Sequence, residues 1–339
     1  MNAMTPPLPT HNIRRHVVIL GAGASRACCP NGDAVGKNLP VIADFIDTLK
    51  LRPKLETAGV FVDGEDFEAL YSRLMTSGKY PVLVKDLEDE VFNYFTELRL
   101  PKEPTIYDHL VLSLRSKDLI ASFNWDPFLI QAMGRCSLIA EPPHCLHLHG
   151  NVATGYCFQH ERPSIGDRGE NCRQCAEPFV DSQLLYPVAQ KNYTADPLIA
   201  FAWKFVQASL KDCFLLTIFG YGAPATDVEA VNLMKEGWGD VNDRVMEETE
   251  IIDIRSDEDL RSTWDSFIHS HHYQTHNTFY DSMLGLLPRR SVEMMFRQLV
   301  EAEFIEHFPL PKDANWEELR DWVRPFVEQE KIAANASGA

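Results

Sequence analysis

Five short apolar runs constrain the fold more strongly than any other feature of this sequence. They are almost continuous rather than alternating, which is the pattern of strands that are covered on both faces by helices. The runs are HVVIL (16–20), DLIASF (118–123), CLHLH (145–149), FLLTIF (214–219) and EIIDI (250–254). Together they predict an α/β fold built on a Rossmann-like parallel sheet.

The long segment between the first two runs has the periodicity of amphipathic helices. Its apolar residues recur at helical spacing in two sets, Phe67, Leu70, Tyr71 and Leu74, and then Leu87, Val91, Tyr94 and Phe95. Each set forms one apolar face, and core packing is the simplest role for these aromatic rings. We therefore predict a helical insert over about 40–115.

The rest of the chain divides by composition. The predicted parts are a flexible N-terminal arm (1–15), a Rossmann-type domain (16–257), a small polar knuckle inside it (151–180), a C-terminal helical region (258–330) and a disordered tail (331–339). The histidine-rich stretch HSHHYQTH (269–276) is interpreted as a solvated helix face. Because the C-terminal region follows the last predicted strand, we expect it to contact a second subunit or a partner.

Charge and composition exclude several classes of function. The net charge of −17 over 339 residues repels nucleic acids and anionic membranes, although a local basic pocket for a small anion stays possible. No apolar run approaches the roughly 20 residues that span a bilayer, and the N-terminus lacks the apolar segment of a signal peptide. Eight cysteines without such a signal favour thiols or metal ligands over disulfides. These features predict a cytoplasmic protein that contacts neither nucleic acid nor membrane.

A glycine-rich loop directly follows the first apolar run. It consists of Gly21, Ala22, Gly23, Ala24 and Ser25. Glycines at a strand-to-helix turn let the backbone approach a pyrophosphate closely. The third glycine of the dinucleotide pattern G-x-G-x-x-G is replaced by Arg26, so a tight structural turn explains this loop equally well.

Polar residues also follow three other apolar runs. They are Asn124 and Asp126 after the second, His149 at the end of the third, and Gly220, Tyr221 and Asp227 after the fourth. Ligands of open parallel sheets bind at the carboxyl ends of the strands, so these residues and the glycine loop predict one dinucleotide site. Taken singly, Asn124 and Asp126 could be turn residues, and His149 could be a hydrogen-bonded core histidine.

The knuckle contains a metal-ligand pattern. Cys157 and His160 are separated by two residues, as are Cys172 and Cys175, and the two pairs lie close together in the chain. This spacing suits a tetrahedral zinc ion, and the segment has little apolar content on which to fold otherwise. Four protein ligands leave no open position, so we predict structural rather than catalytic zinc. The alternative is a set of incidental thiols in a polar loop.

Three motifs in this order resemble those of the sirtuin family. GAGAS is similar to its nucleotide loop, SFNWD to its T-x-N-x-D motif, and LHLHG to the strand that carries its catalytic His-Gly, over about residues 16–256. The resemblance implies that NAD is the substrate and that its nicotinamide N-glycosidic bond is cleaved through an oxocarbenium-like transition state. It implies that Asn124 and Asp126 hold water and the nicotinamide ribose, with His149 as the general base.

Two stretches typical of sirtuin deacylases are missing, namely P-D-F-R after the nucleotide loop and V-x-F-G-E after the zinc ribbon. DGEDFEALYSRL (63–74), PFVDSQLLYPVAQKNY (178–193) and FGYGAPATD (219–227) are instead similar to the bacterial sirtuin-like branch of antiphage defence effectors. That resemblance implies an oligomeric NAD+ hydrolase (NADase, an NAD glycohydrolase) that is activated by a partner such as a HerA-type ATPase or an Argonaute.

Two other functions stay open. The zinc knuckle is more typical of deacylases, so an NAD-dependent protein deacylase or ADP-ribosyltransferase is one alternative. A non-catalytic sensor of an NAD derivative is the other. The presence of Asn124, Asp126 and His149 weighs against the sensor, because binding alone does not require a general base.

Overall fold

The computed structural model describes residues 14–41, 44–160, 163–186, 192–224 and 227–337. Its strands are β1 Arg15–Leu20, β2 Leu119–Ser122, β3 His144–His147, β4 Thr154–Cys157, β5 Ser164–Asp167, β6 Val180–Asp181, β7 Cys213–Phe219, β8 Glu248–Ile252 and β9 Tyr273–His276. Six of them form one sheet in the order β3-β2-β1-β7-β8-β9, and all neighbours in it are parallel. The predicted Rossmann-like parallel sheet is confirmed.

The helices cover both faces of this sheet. They are α1 Ala22–Cys28, α2 Phe45–Thr48, α3 Arg52–Thr57, α4 Phe67–Ser77, α5 Pro81–Thr96, α6 Ile106–Ser113, α7 Phe128–Cys136, α8 Pro197–Lys211, α9 Val228–Trp238, α10 Asp257–Trp264, α11 Met283–Leu286, α12 Ser291–Val300 and α13 Trp316–Ser337. Within β1, Val18 and Leu20 pack with the residues of α4 to α7, and Val17 and Ile19 pack with those of α8 and α9. This double coverage is why the strands read as continuous apolar runs.

The predicted helical insert is confirmed as α2 to α6. Asp66 caps α4 by accepting a hydrogen bond from the Ala69 N–H at 2.9 Å, and α6 begins with a capping box between Thr105 and Asp108. The apolar faces are buried as expected, except that Tyr94 stays partly exposed and donates its hydroxyl to the Asn38 carbonyl. The insert therefore forms one wall above the carboxyl ends of β1 and β2.

The C-terminal region differs from its prediction. Residues 273–276 form β9, the sixth strand of the sheet, rather than a helix. Their side chains are polar and half-buried, so this edge strand lacks the apolar run that identified the others. His272 lies 3.7 Å from a carboxylate oxygen at the start of β8, and His276 lies 3.2 Å from one in the middle of β8. The two histidines therefore do not form a solvated helix face.

The expectation that residues after 257 lie outside the sheet was wrong. Helix α12 packs against β1 and β7, and Glu330 of α13 pairs with Arg289 and Arg290. Helix α13 continues to Ser337, so most of the tail predicted as disordered is helical. Of the predicted N-terminal arm, residues 1–13 lie outside the described residues. No described helix is long and apolar enough to cross a membrane.

Candidate functional site

Two glycine loops meet at the centre of the sheet. The Gly21 N–H donates to the Phe219 carbonyl at 3.0 Å, and the Gly23 N–H donates to the Gly220 carbonyl at 2.9 Å. A Cβ at Gly21 would lie 2.5 Å from the Gly220 carbonyl oxygen, and one at Gly220, where φ is +61°, would lie 2.2 Å from the Ala24 nitrogen. Larger residues are therefore excluded, because the two backbones are in direct contact.

Asn124 connects the end of β2 to the first glycine loop. Its Nδ2 donates to the Gly21 carbonyl at 2.8 Å and to Ser25 Oγ at 2.9 Å, and it lies 3.1 Å from the Tyr107 hydroxyl. Because a carbonyl only accepts, these contacts fix which end of the amide is the NH₂ group. Asn124 Oδ1 has no partner among the described residues and stays available to a ligand.

Asp126 is a buried carboxyl group beside Asn124. It accepts hydrogen bonds from Ser25 Oγ at 2.7 Å and from the Phe128 N–H at 3.1 Å. Its side chain is almost fully removed from water, and this burial raises the pKa of Asp126 to about 6. The group can therefore change its protonation state just below neutral pH.

This pKa shift gives a testable stability effect. Folding raises the carboxyl pKa, so the free energy of unfolding falls as pH rises from the ordinary carboxyl range through about 6. Asp126→Asn keeps both hydrogen bonds, because the Ser25 hydroxyl can also accept. We expect the variant to gain up to about 3 kcal/mol relative to the wild type between pH 4 and pH 8. Urea unfolding at several pH values measures this, with exposed Asp86→Asn as the control; a pH-independent difference would contradict it.

His149 follows β3 and packs among aromatic side chains. Its Nε2 is 3.1 Å from the Tyr193 hydroxyl, and its ring meets the Phe123 ring edge-on at 4.8 Å. Phe123 in turn stacks on Tyr221 with ring centroids 4.1 Å apart. Tyr221 donates its hydroxyl to Asp227 at 3.1 Å, so the loops after β3 and β7 are joined through these rings.

One cavity of about 420 Å³ collects these groups, and its size is typical of a small-molecule site. Of the eleven predicted site residues outside the metal centre, nine line it: Gly21, Ala22, Ser25, Asn124, Asp126, His149, Gly220, Tyr221 and Asp227. Gly23 and Ala24 do not line it, and their backbone contacts Gly220 instead. Among the described residues no lysine or arginine lines the cavity, so it is not a basic pocket.

Sequence reasoning missed three polar residues around this cavity. Fully buried Asn151 donates to the Asp126 carbonyl at 2.7 Å and so fixes the backbone of the β2 loop. Its position two residues after His149 was a usable signal. Tyr107 and Glu68 come from the helical insert, where the helix pattern gave no reason to distinguish them from ordinary core and surface positions.

The four predicted metal ligands converge in the knuckle. The ligand atoms of Cys157, His160, Cys172 and Cys175 all lie within 4.8 Å of one another. The Cys157 and Cys175 sulfurs are 3.8 Å apart, and Cys172 Sγ is 3.3 Å from His160 Nε2. Zinc–sulfur bonds of about 2.3 Å in a tetrahedron separate two sulfurs by about 3.8 Å, so the donor set fits zinc.

The knuckle also supports the His149 loop. Its three strands form an antiparallel sheet in the order β5-β4-β6, and the chain leaving β6 returns to the cavity. There the Leu185 N–H donates to the His149 carbonyl at 2.9 Å. Gly150 has a φ of +75°, and a Cβ there would lie 1.8 Å from the Gln183 carbonyl oxygen. The position of His149 thus depends on the segment that the metal centre holds.

No family model and no curated protein matches the chain. Solved structures with a similar arrangement include Sir2 bound to an acetylated peptide (14% identity, 86% of this chain and 95% of that chain, TM-score 0.39) and a complex of Sir2, a p53 peptide and NAD+ (14%, 86% and 95%, 0.38). Another is a Sir2 homologue with ADP-ribose (12%, 94% and 94%, 0.41). At such values the likeness carries no information about chemistry.

Proposed function

We propose that this protein is an NAD+ hydrolase that cleaves the nicotinamide N-glycosidic bond to give ADP-ribose and nicotinamide. One observation carries the proposal: Asn124, Asp126 and His149 line a single cavity beside the Gly21 loop. An amide, a carboxyl group and an imidazole are the groups that can hold a ribose, position a water molecule and accept its proton.

The ends of the dinucleotide would meet different walls of the cavity. The Gly21 and Ala22 backbone lies at the loop where a pyrophosphate could approach closely, and Ser25 is directly behind it. The aromatic residues Phe123 and Tyr221 offer a flat apolar surface near His149. This side of the cavity suits the nicotinamide ring.

The reaction needs positioning and charge stabilisation more than covalent help. When the glycosidic bond breaks, its electron pair leaves with nicotinamide and the ribose becomes oxocarbenium-like. Asn124 Oδ1 can accept a hydrogen bond from the attacking water or a ribose hydroxyl, because the amide protons are held by protein acceptors. His149 can accept the proton that the water releases.

The biological setting that we propose is bacterial antiphage defence, with NAD depletion by a homo-oligomer. A HerA-type ATPase or an Argonaute is the kind of partner that would activate it. The support is the likeness of three segments to sirtuin-like defence effectors, together with the missing peptide-pairing stretch. The zinc knuckle favours the second candidate, an NAD-dependent deacylase, so the two activities have to be separated by experiment.

The decisive assay measures nicotinamide and ADP-ribose released from NAD, with and without an acetyl-lysine peptide. It is run on the full chain alone and together with a candidate partner, a HerA-type ATPase or an Argonaute. We expect peptide-independent release, and His149→Ala should lower its rate on the order of 100-fold. His144→Ala, at an exposed position on β3, the strand that precedes His149, is the matched control. Release that requires the peptide would indicate a deacylase, and an unchanged rate in His149→Ala would contradict both assignments.

A further inference from the structure

Glu68 is a buried carboxylate on the wall of the cavity opposite the sheet. It lies in the first turn of α4, next to the core residues Phe67 and Leu70. Only 7% of its surface is exposed, and it lines the same cavity as Asn124 and His149. The helical insert thus contributes an acidic group to a site whose other polar residues come from the sheet.

Within the described residues, nothing donates a hydrogen bond to the Glu68 carboxylate or pairs with its charge. An unpaired buried carboxylate destabilises the fold unless a ligand or another group compensates for it. The position at the start of α4 offers only partial compensation through the helix dipole. The side chain is therefore better explained by a cationic ligand than by the stability of the insert.

The surroundings of Glu68 point to one part of the cavity. Burial, together with the charges of Asp227 and Glu68, raises the pKa of the Tyr221 hydroxyl, and the same causes act on Tyr193. Tyr193 contacts His149, Tyr221 stacks on Phe123, and Glu68 lines the same cavity as His149, Phe123 and Tyr221. With Asp126 and Asp227 it makes the described lining acidic, without a lysine or arginine.

We infer that Glu68 stabilises positive charge in this site, on the pyridinium of NAD+ and then on the ribosyl cation. The inference rests on the proposed function and deepens it. In the step, the bond between C1′ and the ring nitrogen breaks, both electrons stay with nicotinamide, and C1′ becomes positive. Water then adds to C1′ and gives a proton to the base, while Glu68 forms no bond. A carboxylate that is largely shielded from bulk water, as Glu68 is, stabilises such charge more strongly than it would in water.

The substrate class follows from this charge. The site should accept N-ribosides with a cationic pyridinium leaving group, and it should bind NADH, whose nicotinamide ring is neutral, less tightly than NAD+. The preference should weaken when Glu68 loses its charge, because one of the three acidic groups in the described lining then no longer favours the cationic ring.

The test compares Glu68→Gln, which keeps the shape, with Glu68→Asp, which keeps the charge. For Glu68→Gln we expect kcat for nicotinamide release to fall on the order of 100-fold, with an unchanged melting temperature and an ADP-ribose Kd within a factor of about two. Glu68→Asp should recover part of the rate. Glu56→Gln, an exposed position on α3 of the same insert, should behave as the wild type.

Each outcome is decisive. If the wild type releases nicotinamide and Glu68→Gln does so equally fast, the inference fails and the proposed function stands. If Glu68→Gln loses ADP-ribose affinity and melting temperature as much as rate, Glu68 is structural and the inference is overturned. If the wild type with its partner neither binds nor cleaves NAD, the proposed function fails and the role of Glu68 falls with it.

Discussion

Asn124→Ala should lower the rate of nicotinamide release from NAD by on the order of 100-fold or more. The variant removes Oδ1, the one atom of this amide that the described protein leaves to a ligand, and it also releases the Gly21 carbonyl and Ser25. An interaction that positions water and ribose acts mainly in the transition state, so kcat should fall more than ADP-ribose affinity. Steady-state kinetics and ADP-ribose binding by calorimetry measure the two effects.

Tyr107→Phe is the matched control for this change. It removes one of the three acceptors around the Asn124 amide and leaves Gly21 and Ser25 in place. We expect a rate loss smaller than tenfold, since the amide keeps its orientation. A variant Asn124→Ala that stays folded, binds ADP-ribose and retains the wild-type rate would exclude this residue from the chemistry.

Removal of one metal ligand should have the largest effect on stability. Cys172→Ser should abolish stoichiometric zinc and lower the melting temperature by on the order of 10 °C. The knuckle has a very small core of its own, in which Phe179 packs with the thiols of Cys157 and Cys172. NAD turnover should fall as well, because the segment leaving the knuckle supports His149 through Leu185.

Metal analysis and thermal unfolding of the purified protein measure these effects. Cys145→Ser, which changes a thiol on β3 outside the ligand set, should keep both the metal and the melting temperature. A wild-type protein without zinc, or a Cys172→Ser variant with wild-type stability, would contradict the structural role of the metal.

The sheet was predictable because its central strands are buried on both faces and therefore appear in the sequence as nearly continuous apolar runs. β9 has no such apolar run, because its residues are half-buried at the sheet edge, namely Tyr273, Gln274, Thr275 and His276. This strand pairs with β8 through backbone hydrogen bonds. Backbone pairing at an edge does not depend on side-chain hydrophobicity. The C-terminal helices were recognisable, but their docking on β1 and β7 depends on contacts between residues far apart in the chain.

The site was predictable as far as it lies directly after strands. Asn124, Asp126 and His149 stand where parallel strands end, so topology alone brings them to one edge. From helices of the insert, Glu68 lines the same cavity and Tyr107 contacts Asn124 from behind it. Their place depends on how the insert folds back over the sheet, which no local sequence pattern specifies. This is why the acidic character of the cavity emerged only from the three-dimensional arrangement.

The contact between the two glycine loops has a consequence for synthesis of the protein. Leu20 in β1 pairs with Phe219 in β7, so the loop at Gly21 gains its second wall only after four of the six strands of the main sheet have been translated. Pairing between such distant segments is slow compared with the formation of local helices. A ribosome-bound or prematurely terminated chain that ends before β7 lacks Gly220 and Tyr221 and therefore has no complete cavity. Under the proposed function, the unfinished chain would therefore leave the NAD of the cell intact while it is still being made.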